Sequence, residues 1–315
     1  MLTEEQIKLR SNYIGGSDAG AVLGISGYTS RLEMWMRKTG RMKAPDLSDN
    51  KAVEFGNFME KPIARYYWEQ HPTHIMLLED EAKFNPKYPF MIANYDRVGI
   101  DEAQQHYVLE IKNIGQRSAK YWQDEDNIPL QYLVQVYHYM IVGEFAYGVI
   151  CAFIGGQDYK EYRIERDADI ESMIIKAETE FYQYWQDNEQ PPILATESQT
   201  SLMRSLNELY DSANVIDEVI EITDPSIEDL PYEIDDLKKE KKEIDKQILL
   251  KSNLLREAIG QSASAKVGEY WVNYKPQSTK RVDTKQLKEF YPHIAERVMA
   301  ETITRILRIN KQKEK

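Results

Sequence analysis

His106-Tyr107-Val108-Leu109-Glu110-Ile111-Lys112-Asn113 is the segment from which the rest of this chain can be laid out. β-Branched, aromatic and aliphatic residues dominate it, so it reads as a strand, and Val108, Leu109 and Ile111 call for burial. Glu110 and Lys112 nevertheless lie within it, two residues apart and therefore on one face. Upstream, the apolar run Phe90–Ala93 leads into Asn94-Tyr95-Asp96-Arg97-Val98-Gly99. If the two segments pair antiparallel through a turn over Gly99–Gln105, Asp96 comes beside Glu110. Two carboxylates held close repel one another unless a cation neutralises them, and oxygen-only ligands suit Mg2+, with Mn2+ as a substitute. Lys112 would then hold or polarise a water beside the ion, the chemistry of metal-assisted phosphodiester hydrolysis. Glu-x-Lys alone is equally the pattern of an ion pair on a solvated strand face. The apolar flanks and the upstream Asp96 favour the metal reading.

Composition bounds the alternatives. A chain of 315 residues holds one α/β core of roughly 200 residues plus an appended unit. Apolar residues make up 42%, with 21 Tyr and five Trp, which argues for a packed protein. No apolar run reaches transmembrane length and the first ten residues, MLTEEQIKLR, lack a signal-peptide core, so a cytoplasmic protein with no membrane partner is expected. The single cysteine, Cys151, excludes an intrachain disulfide, a four-cysteine zinc site and a four-cysteine iron–sulfur cluster. His71, His74, His106, His138 and His293 show no ligand spacing, and the glycines of IGGSDAG do not fit a dinucleotide fingerprint. A net charge of −12 argues against a nonspecific nucleic-acid coat protein. The tail from Lys266 onward nevertheless carries 12 Lys/Arg against 6 Asp/Glu, and a local basic channel suffices for an enzyme to hold DNA.

Periodicity predicts helices over Thr3–Ser11, Ser30–Trp35, Ala52–Gln70, Pro129–Val142 and Asp167–Glu189. Strands are expected over Ile75–Phe84, Phe90–Asn94, Tyr107–Lys112, Tyr147–Ile154 and Tyr159–Ile164. These make an α/β domain of residues 1–195. Residues 196–262 read as an antiparallel, coiled-coil-like helical hairpin. One arm runs through Leu202, Leu206, Leu209, Ala213, Ile216 and Ile220; the other runs from Ile234 to a stop at Gly260. Residues 263–315 read as a small basic α+β tail, with a strand over Glu269–Lys275, a helix entered at Val282-Asp283 and a last strand in ITRILRIN.

Five blocks in order carry a resemblance: Arg10 with IGGSDAGAVLG (14–24), FGNFMEKPIARYY (55–67), NYDRVG (94–99), LEIKN (109–113) and LQYLVQVYHYMIVG (130–143). Together they resemble the YqaJ-type viral recombinase nucleases, in the lambda-exonuclease branch of the PD-(D/E)XK superfamily. The resemblance implies a restriction-endonuclease-like α/β core, a central mixed sheet flanked by helices. Carried onto this sequence, it makes Asp96, Glu110 and the Ile111 carbonyl the metal ligands and gives Lys112 the attacking water. Glu60 becomes the third acid, orienting water or completing a second metal site, and Gln135 lies near the centre. Arg10 and Ser17 match positions that hold a terminal 5′-phosphate, with Arg117 a looser candidate. Ser17 has its own physical support: after two glycines it could cap a helix starting near Asp18 and leave backbone amides free for an anion. Asp18, which would repel phosphate, reads as a helix-dipole or capping residue. Where the family commonly has Gly directly after the metal-binding Asp, this chain has Arg97, which could contact DNA or pair with an acid.

The activity so implied is Mg2+-dependent 5′→3′ digestion of double-stranded DNA ends, leaving 3′ overhangs for phage-type recombination inside a bacterial host. A single-strand annealing protein and a homo-oligomer are the implied partners. A structure-specific or nicking endonuclease would use the same residues, and a binding scaffold with a vestigial site is the reading from another class.

Overall fold

The computed structural model describes residues 11–77, 81–122, 128–210, 218–280 and 282–299. The chain divides into two units, between Asp211 and Ser212. The first unit contains, in order, β1 (Ile14–Gly15), α1 (Gly16–Val22), α2 (Arg31–Lys38), α3 (Lys51–Gln70), β2 (Ile75–Leu77) and β3 (Lys83–Phe84). Then come β4 (Met91–Ala93), β5 (Arg97–Ile100), β6 (His106–Ile114), a 3-10 segment (Gln116–Tyr121), α4 (Leu130–Gly143), β7 (Tyr147–Ile154), β8 (Asp158–Glu165), α5 (Ala168–Gln186) and α6 (Gln199–Leu209).

The main sheet has the order β2-β5-β6-β7-β8, so the His106–Asn113 segment forms its central strand. Its pairings are antiparallel except for β6 with β7, which run parallel because α4 crosses over between them. The period of two divides β6 between two cores. Tyr107, Leu109 and Ile111 pack with Ile63, Ala64 and Tyr67 of α3. Val108 and Ile114 pack with Val134, Val136 and Met140 of α4. Glu110 and Lys112 share parity with Val108 and Ile114, so they face α4. Residues Val134–Val142 are all buried, since α4 has the sheet on one side and α1 and α5 on the other. On the opposite face, α3 is N-capped by Asn50, whose side chain accepts from the Ala52 and Val53 amides. Gly99 lies opposite Tyr107, where an added Cβ would stand 2.1 Å from the ring, so only glycine lets that ring cross the strand.

Several expectations meet a different structure. The neighbour of β6 is β5; β4 belongs to a second, three-stranded sheet of order β1-β4-β3. The expected Ile75–Phe84 strand is represented by β2 and β3, one in each sheet, with 78–80 outside the described residues. Ile14-Gly15 pairs in parallel with Met91-Ile92. Helix α1 consequently starts two residues earlier than expected. Gly15 is its cap residue and the Asp18 carboxylate accepts the Gly15 amide at 3.2 Å. Ser17 is therefore a first-turn residue and not the N-cap, while Asp18 has the capping role expected of it. The Thr3–Ser11 helix and the ITRILRIN strand fall mainly outside the described residues, as does Arg10.

The first unit also runs past residue 195. Helix α6, expected as the start of a hairpin arm, packs on α2: Ser201 accepts the Ser30 amide at 2.7 Å and its hydroxyl donates to the buried Glu33 carboxylate, which Arg204 also pairs. That polar clamp, with Leu202 buried beneath it, ties α6 to the first core. Residues 218–224 are not helical, so the arm does not extend to Ile220. The second unit holds the short α7 (Pro225–Glu228), the 30-residue α8 (Leu230–Ile259), an antiparallel pair β9 (Ser264–Val267) and β10 (Tyr270–Asn273), then α9 (Thr284–Phe290) and α10 (Pro292–Val298). Asp283 caps α9, accepting from Lys285 and Gln286. Among the described residues, no helix is long and apolar enough to cross a membrane.

Candidate active site

Arg97 pairs in register with Leu109, which brings the preceding Asp96 level with Glu110. Asp96 Oδ2 accepts the Ile111 amide at 2.8 Å. Glu110 lies two residues in front of Lys112, and the Lys112 ammonium donates to Glu110 Oε1 and, at 3.2 Å, to Gln135 Oε1. Gln135 closes the triangle: its Nε2 donates to Glu110 Oε1 at 2.8 Å and to the Tyr139 hydroxyl at 3.1 Å. The Lys112 ammonium also lies 4.9 Å from the centre of the Tyr132 ring. The structure thus brings Asp96, Glu110, Lys112 and Gln135 together. Tyr132 and Tyr139 were not singled out from the sequence, although with Gln135 they fall at i, i+3 and i+7, one face of α4.

The electrostatics follow from this crowding. Burial first, then the Glu110 carboxylate, pushes the Asp96 carboxyl well above its ordinary value, despite Lys112 and the Ile111 amide. Burial alone would lower Lys112, but Glu110 and Asp96 outweigh it and raise its pKa, so the ammonium stays charged. Glu110 Oε2 is buried and has no hydrogen-bond partner. Buried carboxylate oxygens are nearly always satisfied, so an unpartnered one beside a second carboxylate suits a cation ligand. The donor set is all oxygen, and Mg2+ takes one or two carboxylates and fills its shell with water. Asp96 and Glu110 therefore suit such an ion, although among the described residues no three of His, Cys, Asp and Glu converge as a ready cage.

Glu60 is committed elsewhere. It projects from α3, and its Oε1 accepts from Arg97 Nη1 at 2.8 Å. The same Arg97 nitrogen donates to the Asp96 carbonyl, and Arg97 is only 7% exposed. Of the two roles open to Arg97, pairing with an acid is the one the structure shows. Ser17 is exposed on the first turn of α1, whose Gly16 lies against the Tyr139 ring. Arg117 is exposed on the 3-10 segment that follows β6.

The histidines do other work. His138, buried in α4, bonds Glu178 at 2.8 Å through Nδ1 and the Ile92 carbonyl at 3.0 Å through Nε2. His71 meets Glu161 at 2.7 Å, and His74 meets the Tyr107 hydroxyl at 2.9 Å, on the α3 face of the sheet.

Comparison with known proteins finds similar chains. The protein YqaJ of Bacillus subtilis (strain 168) is 29% identical over 313 residues, covering 96% of this chain and 92% of its own. Among solved structures, LHK-Exo in complex with dAMP aligns with a TM-score of 0.50 at 16% identity, over 59% of this chain and 94% of that one. A second structure of LHK-Exo, an alkaline exonuclease from Laribacter hongkongensis, gives 0.49 at 17% identity over the same shares. The family model of the YqaJ-like viral recombinase domain matches residues 6–146, the span that holds Asp96, Glu110, Lys112 and Gln135. Over residues 6–146 this chain is therefore similar to the YqaJ-like viral recombinase domain.

Proposed function

We propose that this chain is a Mg2+-dependent 5′→3′ exonuclease acting on double-stranded DNA ends. The observation that carries the reading is the buried, unpartnered Glu110 Oε2 beside Asp96, on a strand face that also presents a charged lysine. Asp96 and Glu110 would hold the divalent ion, which would supply Lewis acidity at the scissile phosphate and make a water beside it more acidic. Lys112 donates hydrogen bonds and, since it stays protonated, acts by orienting water and opposing the charge that builds on the phosphoryl oxygens, not by taking a proton. Gln135 fixes both partners, holding Glu110 Oε1 through its amide nitrogen and Lys112 through its oxygen. Tyr139 and Tyr132 position that amide and the ammonium in turn. Polarity rests on the expectation that Arg10, Ser17 and Arg117 hold the 5′-phosphate; the abutment of α1 on Tyr139 supports this for Ser17. The remaining 3′-ended strand is the substrate a single-strand annealing partner takes.

The test is linear duplex DNA labelled at either end, beside closed-circular plasmid, with Mg2+ or EDTA. Mg2+-dependent loss from 5′ ends with an intact circle is expected. A cut circle would replace the exonuclease by an endonuclease at the same residues, and no cleavage of either would refute the proposal.

A further inference from the structure

A two-metal nuclease site holds its ions about 3.5–4 Å apart around shared carboxylates. The oxygens available here do not support two. Asp96 commits Oδ2 to the Ile111 amide, leaving Oδ1. Glu110 commits Oε1 to Lys112 and Gln135, leaving Oε2. A second ion would need Glu60, and Glu60 is held at 2.8 Å by a guanidinium that also bonds the Asp96 main chain. A guanidinium keeps its charge at any working pH, and this one is largely buried. Its stem is fixed too, because Arg97 sits within β5 opposite Leu109, on the sheet face covered by α3. The cation beside Asp96 on the Glu60 side is thus part of the protein.

We infer that Arg97 occupies the place of a second metal ion, so that the site binds one divalent cation, held by Asp96 and Glu110, with Glu60 neutralised and not a ligand. Arg97 is then a positioning residue. It holds Asp96 from its main chain and keeps the region between Asp96 and Glu60 positive without an exchangeable ion. The inference rests on the metal-site reading above, and the experiment separates the two.

The full-length, metal-stripped chain is titrated with Mn2+, free ion is counted by electron paramagnetic resonance, and bound ion is examined at low temperature. The wild type should bind one Mn2+ per chain with an uncoupled spectrum, and Asp96→Asn should lose it. Arg97→Met, which removes the charge but retains an apolar stem, should bind two with the exchange-coupled spectrum of neighbouring ions. Arg97→Lys should stay at one. Glu60→Gln should also stay at one, which tests the inference even if Arg97→Met does not fold. Two coupled ions in the wild type, one ion in folded Arg97→Met, or loss of the ion in Glu60→Gln would each overturn the inference. No bound Mn2+ in the wild type would overturn the metal-site reading beneath it.

Discussion

Gly16→Ala should damage the active centre without touching any of its charged groups. Gly16 opens α1, and its φ is outside the left-handed region, so alanine suffers no backbone strain there. The obstacle is Tyr139. A Cβ on Gly16 would stand 2.4 Å from Cε1, 2.8 Å from Cζ and 2.9 Å from Cδ1, whereas relaxed carbon contacts lie at about 3.5–4.0 Å. The ring must move by more than about 1 Å. It is 5% exposed and lies edge-on to Tyr95 at 5.4 Å, so it cannot move alone. Overpacking of this kind costs about 1–3 kcal/mol, and for a unit of this size each kcal/mol lowers Tm by about 2–4 °C. The same shift stretches the 3.1 Å bond from Gln135 to the Tyr139 hydroxyl and loosens the amide that holds Glu110 and Lys112. Misplacement of about 1 Å can cost up to ~100-fold in rate. Thermal melts and single-turnover cleavage of linear duplex DNA read the two effects separately. In a Tyr139→Leu background, Gly16→Ala should cause little further loss, because the obstacle is gone. A Gly16→Ala protein with wild-type Tm and rate, or full additivity in the cycle, would show that the Tyr139 ring does not carry the Gly16 contact to the site.

Asp96→Asn should abolish cleavage yet raise Tm in EDTA. The folded Asp96 carboxyl keeps its proton to higher pH than the unfolded one, so stability falls as pH rises between the two values; melts across pH 4–8 should show that slope in the wild type and a flatter one in the variant. His138→Gln should cost about 3–5 kcal/mol in urea unfolding, since it leaves Glu178 buried without its cation. Burial lowers the His138 pKa, but Glu178 and the Ile92 carbonyl outweigh it and raise it, so the pair's stabilisation is complete below about pH 6.5 and fades as pH rises through the folded value. A stability difference between wild type and His138→Gln that grows toward alkaline pH would contradict this. Cys151 is fully buried and its thiol is pushed up to about 12, so a thiol reagent should label it only after denaturant is added, as mass spectrometry would show.

The centre of the fold was legible because β6 obeys a simple rule. Its alternation survives burial on both faces, and the parity that separates Tyr107, Leu109 and Ile111 from Val108, Glu110 and Lys112 can be read directly. Gln135 was legible only through the family motif; its i, i+4 relation to Tyr139 marks a helix face, not a partner. The Arg97–Glu60 pair joins residues 37 positions apart on different elements, and no local pattern announces it. The start of α1 is not legible because Gly15 pairs with β4, a contact that a two-residue strand does not advertise. That helix α6 belongs to the first unit is hidden for a similar reason. Its leucine spacing is that of any amphipathic helix, and its docking depends on Ser201 and Arg204 meeting a glutamate 168 and 171 residues earlier.

Charge balance ties the site together. Asp96, Glu110 and Glu60 face Lys112 and Arg97, so the protein's own groups leave one net negative charge when all are ionised. One divalent ion would bring the centre to a single positive charge, which a phosphodiester cancels. A second ion would leave a net positive centre after substrate is bound, and a buried uncompensated charge is costly. Within the protein's own groups, one Glu110 oxygen has no partner and Asp96 resists ionisation. Metal binding should relieve both, so Mg2+ should raise the Tm of the wild type and leave Asp96→Asn nearly unmoved. An equal shift in the two proteins would mean that the ion binds elsewhere, and the centre would then have to be balanced by protonation of Asp96 alone.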